Sequence, residues 1–180
     1  MRPDGCGILA TAMDEAEVLA ILDQLDAANV GWWLDGGWGV DALLGATSRP
    51  HGDLDIVISQ PDCPRAQECL RERGYSHDLS AKPGLPARIV LRDNMGHEIN
   101  VHPIVIGANG DGWQPLGIDA WGAYPADGLS GEGIIGGRRV RCTTPQLQLR
   151  HHLGYSWTAK DRQDLELLAE RFGLTLPPRE

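Results

Sequence analysis

Apolar and polar positions along the chain predict helices and strands in alternation. Val18, Leu22 and Leu25 recur at helical spacing behind Asp14, a capping residue with Glu17 three positions on as its capping-box partner, and Asn29 and Gly31 end that helix. Trp32, Trp33 and Leu34 read as a short buried strand that stops at a turn made by Gly36 and Gly37. Residues 38–44 resume a helical pattern, closed by Gly45. Residues 53–59 alternate: Asp53, Asp55 and Val57 fall on one face, and Leu54, Ile56 and Ile58 on the other, which is the period of a strand. Residues 62–73 are helical up to Gly74, and two strands, 88–92 and 97–106, flank a turn at 93–96. Residues 107–128 are rich in Gly, Pro and Asp and read as an irregular loop region beside a site. Ile134, Ile135, Gly136, Gly137 and Val140 predict a tight hairpin, and after Pro145 two helices follow at 146–153 and 159–172.

This succession predicts an α+β fold, α/β-like in its alternation, with a mixed sheet, flanking helices and a short C-terminal helical piece. The expected division is a loose tail over 1–13, a core over 14–143, and helices packed on it over 144–180.

Bulk properties narrow the partners. A chain of 180 residues is long enough for one compact domain with a real core. The formal net charge of -9 argues against nucleic acid as the main partner, since phosphate binding needs a basic face, and is compatible with a cationic small molecule. No apolar run approaches the roughly 20 residues that span a bilayer, so no membrane partner is expected. The first residues carry only Arg2 as a basic group and lack the pattern of a secretion signal, so the expected location is cytoplasmic. Cys6, Cys63, Cys69 and Cys142 form no CxxC pair and no zinc spacing; they read as free thiols, with Cys6 the candidate for an exposed, reactive one.

The order strand, Gly36-Gly37, helix, then a strand bearing Asp53-x-Asp55 has a chemical logic. Glycines let a backbone approach a triphosphate closely, and a helix N-terminus offers free N–H groups to its oxygens. Asp53 and Asp55, two residues apart on a strand, point to the same side and repel each other unless a cation bridges them. Magnesium bound by one or two carboxylates plus substrate phosphates is the usual solution. Gly-Gly alone is most often a turn and Asp-x-Asp alone a solvated strand face; together in this order they point to a nucleotide site.

At these residues the chain resembles a family. Residues 33–41 and 49–56, then Val101-His102-Pro103-Ile104, the stretch 135–142, and 152–155 with Asp161 and Asp164, are similar to the antibiotic nucleotidyltransferases of the lincosamide and aminoglycoside 2''-nucleotidyltransferase group, within the DNA polymerase β-like superfamily. The resemblance covers nearly the whole chain after Asp14. It implies transfer of a nucleoside monophosphate from an NTP, expected to be ATP, to an antibiotic hydroxyl, with Mg2+ on Asp53 and Asp55 and phosphates on Gly36 and Gly37. It implies triphosphate contacts for Arg49 and His51, and a guanidinium matches phosphate geometry. Asp35 and Asp41 are candidates for substrate contact, against a capping or surface role. A homodimer is a further expectation of the group.

The family's third carboxylate, which completes the metal site and often serves as general base, falls at Asn100. An amide oxygen can ligate a metal, but it cannot take the proton. Strand alternation puts Glu98, Asn100 and His102 on one face, so Glu98 and His102 are the candidate bases. Phosphoryl-type transfer with no strong base is a second reading, and loss of catalysis with nucleotide binding kept is a third. An enzyme of this fold acting on a macromolecule is a further alternative. For the acceptor, whose amines call for acidic and aromatic groups, the candidates are Trp113, Trp121, Tyr124, Asp111, Asp119 and Asp127 in the irregular region and Tyr155 and Trp157 at the helical join, the aromatics against a role as core or loop anchors.

Overall fold

The computed structural model describes residues 12–153 and 155–178. The first helix, α1 (Glu15–Ala27), starts where the Asp14 side chain accepts from the Glu17 backbone N–H at 2.8 Å. The Glu17 carboxylate does not close a capping box; it bonds Arg73 and Tyr75 instead. Met13 is buried and its N–H donates to the His51 carbonyl, so the end of the expected tail is tied to the core. The rest of that tail, with Cys6, lies outside the described residues.

Strand β1 (Trp32–Asp35) runs directly into α2 (Gly36–Leu44). Gly36 and Gly37 are therefore the first turn of that helix rather than a turn before it. After β2 (Asp53–Ser59) come a short 3-10 turn (Gln60–Asp62), α3 (Cys63–Glu72), β3 (Ser76–His77), β4 (Ile89–Arg92) and β5 (Glu98–Ile106).

Residues 107–128 correct the sequence reading. They contain a hairpin, β6 (Gly112–Gly117) and β7 (Ala120–Tyr124), paired onto the end of β5. Its register slips between Pro115 and Gly117, and its turn holds Asp119 at φ 56. Pro and Gly weaken the strand signal, and a slipped register breaks strict alternation, so the segment reads as loop. Strands β8 (Gly131–Ile135) and β9 (Arg138–Cys142), then α4 (Pro145–His151) and α5 (Ala159–Phe172), complete the chain.

The sheet order is β3-β4-β5-β2-β1-β9-β8, with β6 and β7 extending from β5. β2 lies parallel to β5 and antiparallel to β1, and β1 is parallel to β9, so the sheet is mixed. One face is the main core. Leu54, Ile56, Ile58, Ile99 and Val101 are buried there with Val18, Ile21, Leu22 and Leu25 of α1 and Ala66 and Leu70 of α3. Burying each such side chain contributes roughly 1.5–3 kcal/mol. The other face carries the polar residues of β2 and β5, with a smaller cluster of Val57, Ile104, Tyr124, Leu129 and Leu147 beside them. Helix α5 packs on α2 through Leu165, Leu168 and Val40.

No helix among the described residues is long and apolar enough to cross a membrane. Cys63, Cys69 and Cys142 are free and buried, and burial pushes the Cys63 thiol up to about 11 and that of Cys142 to about 12, which keeps both unreactive.

Candidate active site

Pairing of β2 with its two neighbours assembles the site. Asp53 lies opposite Glu98 and Asp55 opposite Asn100 on β5, while Asp55 lies opposite Asp35 on β1. Residues opposite each other share a face, so four carboxylates and an amide converge from three strands. Removal from water, then the charges of Asp55 and Glu98, raise the Asp53 carboxyl above its ordinary pKa; Lys160 and Arg49 oppose this. The crowding creates a demand for a cation.

Asp55 is held from two sides. His102 Nε2 lies 3.0 Å from Asp55 Oδ1, and His102 Nδ1 lies 3.1 Å from Gln114 Nε2. The same Gln114 nitrogen donates to the Ala87 carbonyl at 2.6 Å, and its Oε1 accepts from the Tyr124 hydroxyl at 3.1 Å. The Gln114 amide therefore faces His102 as a donor, and Nδ1 must accept. In the neutral ring the proton then sits on Nε2, which donates a hydrogen bond to Asp55. Burial lowers the His102 pKa, but the hydrogen bond and charge of Asp55 outweigh it, and the net direction is upward. Both ring nitrogens are thus occupied, and His102 stands as a holder of Asp55 rather than a free base. Gln114 had no signal in the sequence, because it sits in the hairpin that reads as loop.

Glu98 pairs with Arg92, whose guanidinium also bonds Asp78 at 2.9 Å. Asn100 is 1% exposed; its Nδ2 donates to Asp53 Oδ2 at 3.3 Å, and its Oδ1 is buried with no hydrogen-bond partner. A buried oxygen with no partner is costly, and a cation would satisfy it if the amide turned its oxygen toward Asp53. Among the described residues no three His, Cys, Asp or Glu side chains form a metal-ligating group. Two carboxylates and one amide oxygen still suit magnesium, which takes few protein ligands and fills its remaining positions with phosphates and water.

The two glycines also admit a close approach by the chain's own side chains. A Cβ on Gly36 would lie 2.5 Å from Asp55 Oδ2, and Gly36 sits at φ +55. A Cβ on Gly37 would lie 2.3 Å from His51 Nδ1 and 2.9 Å from Arg49 Nη2. The space left by the missing side chains is filled by the protein's own polar groups, which are pressed against the start of α2.

His51 and Asp41 depart from their expected roles. His51 is 1% exposed, Asp41 is 0% exposed, and His51 Nε2 lies 2.6 Å from Asp41 Oδ2. The other Asp41 oxygen accepts from the backbone N–H and hydroxyl of Ser48. Neither side chain is open to a triphosphate or an antibiotic; together they staple the loop between α2 and β2, and Trp38 packs on the His51 ring. Arg49, carried by that loop, forms a two-pronged pair with Asp164 of α5, at 2.9 and 2.6 Å. This pair, first of all its hydrogen bond, raises the Arg49 pKa.

Asp35 is buried beside the start of α2, accepting from the Thr143 hydroxyl at 2.8 Å, and Gln148 donates to that same hydroxyl. Burial, then the charges of Asp35 and Asp55, raises the Tyr124 pKa well above its usual value. Trp113 and Trp121 do not share this face. In the hairpin register Gln114 lies opposite Gly122 and Gly112 opposite Tyr124, whereas Trp113 lies opposite Ala123 and Trp121 opposite Pro115. The two tryptophans therefore project from the side away from Gln114 and Tyr124, and both are exposed. Tyr155 is exposed at the join of α4 and α5, beside the His152 ring.

Comparison with known proteins agrees with this geometry. Residues 17–168 match the model of a family described as aminoglycoside-2''-adenylyltransferase. A lincosamide resistance protein of Staphylococcus haemolyticus is 30% identical over 154 residues, covering 86% of this chain and 93% of its own. The lincomycin-bound crystal structure of the lincosamide antibiotic adenylyltransferase LnuA superposes with a TM-score of 0.78 at 30% identity, over 88% of this chain and 98% of that one. ANT(2'')-Ia in complex with adenylyl-2''-tobramycin shares the fold, with a TM-score of 0.68 at 19% identity over 88% of this chain and 89% of that one. The chain belongs to the aminoglycoside-2''-adenylyltransferase family and is a nucleotidyltransferase.

Proposed function

We propose that this nucleotidyltransferase moves a nucleoside monophosphate from an NTP, with ATP the expected donor, to a hydroxyl of a small-molecule antibiotic, releasing pyrophosphate and conferring resistance. The observation that carries this reading is the same-face carboxylate pair Asp53 and Asp55, with Asp55 packed against Gly36 at the start of α2. A lincosamide is the preferred acceptor class, because the relative that aligns over 93% of its length is a lincosamide resistance protein; an aminoglycoside is the second.

Asp53, Asp55 and the Asn100 oxygen are the residues that would hold magnesium. Bound there, the ion would supply charge neutralisation for the triphosphate and the departing pyrophosphate. The chain's own groups do the rest. Gly36 and Gly37 bring backbone N–H groups of the first turn of α2 to the phosphates. His102 donates an Nε2–H hydrogen bond to Asp55 and fixes the orientation of that carboxylate. Glu98, opposite Asp53, is the candidate carboxylate to take the proton of the acceptor hydroxyl, and it would have to leave its ion pair with Arg92 to do so. Asp35, opposite Asp55 on β1, is the acid that would meet an amine-bearing acceptor.

The test is incubation with magnesium and each NTP against a panel of lincosamides and aminoglycosides, read as added nucleotide mass and pyrophosphate release. Product with at least one acceptor is expected. Measurable NTP binding with no product from any acceptor would favour the alternative that Asn100 motivates, a nucleotide-binding module without turnover.

A further inference from the structure

The C-terminal helix reaches into the nucleotide site through one buried acid. Asp164 is 5% exposed and lies on the inner face of α5, next to Leu165 and one turn before Leu168, which lock the helix onto Val40 of α2. A carboxylate at such a depth needs a partner, and both of its oxygens have one in Arg49, 115 positions earlier. Arg49 Nη1 also donates to the Pro50 carbonyl at 3.3 Å. Of the five guanidinium N–H groups, the remaining two have no partner among the described residues. The guanidinium lies over the first turn of α2, since Nη2 is 2.9 Å from where a Gly37 Cβ would stand. The Asp41–His51–Ser48 staple fixes the loop that carries Arg49, and Asp164 fixes its side chain.

The geometry points to Asp164 as a positioning residue: it holds the Arg49 guanidinium over the Gly37 turn so that its free N–H groups meet the phosphate chain of the nucleotide. Without the acid, the long side chain regains its rotamer freedom and must be ordered at each binding event. The two-pronged pair removes that cost before the ligand arrives, and it makes α5 a structural part of the phosphate site. The inference rests on the nucleotidyl-transfer reading only for the identity of the ligand.

The test uses the full chain in magnesium with inorganic tripolyphosphate as probe, which carries no nucleotide to transfer. Calorimetric titration is expected to show binding by the wild type, about tenfold weaker binding by Asp164→Asn, and recovery of most of it in Asp164→Glu. Arg49→Ala should lose at least as much, and Asp164→Asn added to Arg49→Ala should cost nothing further. That lack of additivity separates positioning from a general loss of stability, which the thermal midpoints report in parallel. Four results overturn the inference: no binding by the wild type, unchanged binding by Asp164→Asn, tighter binding by Asp164→Asn, or losses that add. Absence of transfer to any antibiotic would sink the functional reading and leave this coupling standing; an active enzyme without the coupling would do the reverse.

Discussion

The two sides of β2 have opposite physics on the same seven residues. On one side Leu54, Ile56 and Ile58 are 0% exposed within the core that α1 and α3 complete. On the other side Asp53 and Asp55 face the carboxylates Glu98 and Asp35, which repel them, and the Asn100 amide, which donates to Asp53. The first side stabilises the fold and asks for nothing more. The second keeps like charges together on the strength of the first, and the proposed function gives it a cation and a nucleotide to relieve them. The difference teaches where the free energy of the site resides: strand pairing and the apolar face keep like charges together, and binding collects the benefit.

Breaking the apolar side has the largest effect. Leu54→Ala is expected to cost about 3–4 kcal/mol of unfolding free energy by urea titration, with the KM for NTP unchanged in the protein that remains folded. Breaking the polar side without removing a charge comes next. Gly36→Ala places a methyl 2.5 Å from Asp55 Oδ2 at a φ of +55, so Asp55 must shift. Turnover should fall about a hundredfold, read as pyrophosphate release, with a smaller loss of stability of about 1–2 kcal/mol.

The smallest effect sharpens the contrast through pH. The Asp53 pKa is raised in the folded chain, so its charged form opposes folding above the ordinary carboxylate range, and this penalty vanishes at lower pH. Asp53→Asn should therefore raise the thermal midpoint of the metal-free protein near neutral pH. It should leave the midpoint unchanged below about pH 3.5, where the unfolded carboxyl is protonated as well. A fall in the midpoint at neutral pH would contradict the crowding of the polar side.

The sequence makes the apolar side of β2 legible because alternation is a local signal, and it places Asp53 and Asp55 together for the same reason. The family resemblance carried the fold and the nucleotidyltransferase reading. What the sequence hides is contact at long separation. Arg49 and Asp164 are 115 positions apart, and nothing near either residue announces the other. His51 and Asp41 look like site residues because they flank the motif, yet they pair in the core and staple the loop. Gly36 and Gly37 are recognisable as glycines that permit close approach, but which groups approach is set by tertiary packing. The hairpin of β6 and β7 is masked by Pro115, Gly112 and Gly117, and with it the face that delivers Gln114 and Tyr124 while turning Trp113 and Trp121 outward.

The most direct measurement is calorimetric binding of ATP with and without magnesium to the wild type, Asp53→Asn and Asp55→Asn. Magnesium should strengthen ATP binding by the wild type, and each substitution should abolish that gain while the protein stays folded. Magnesium-dependent binding that is as tight in both variants as in the wild type would contradict the assignment of the polar side of β2 as the metal–nucleotide site.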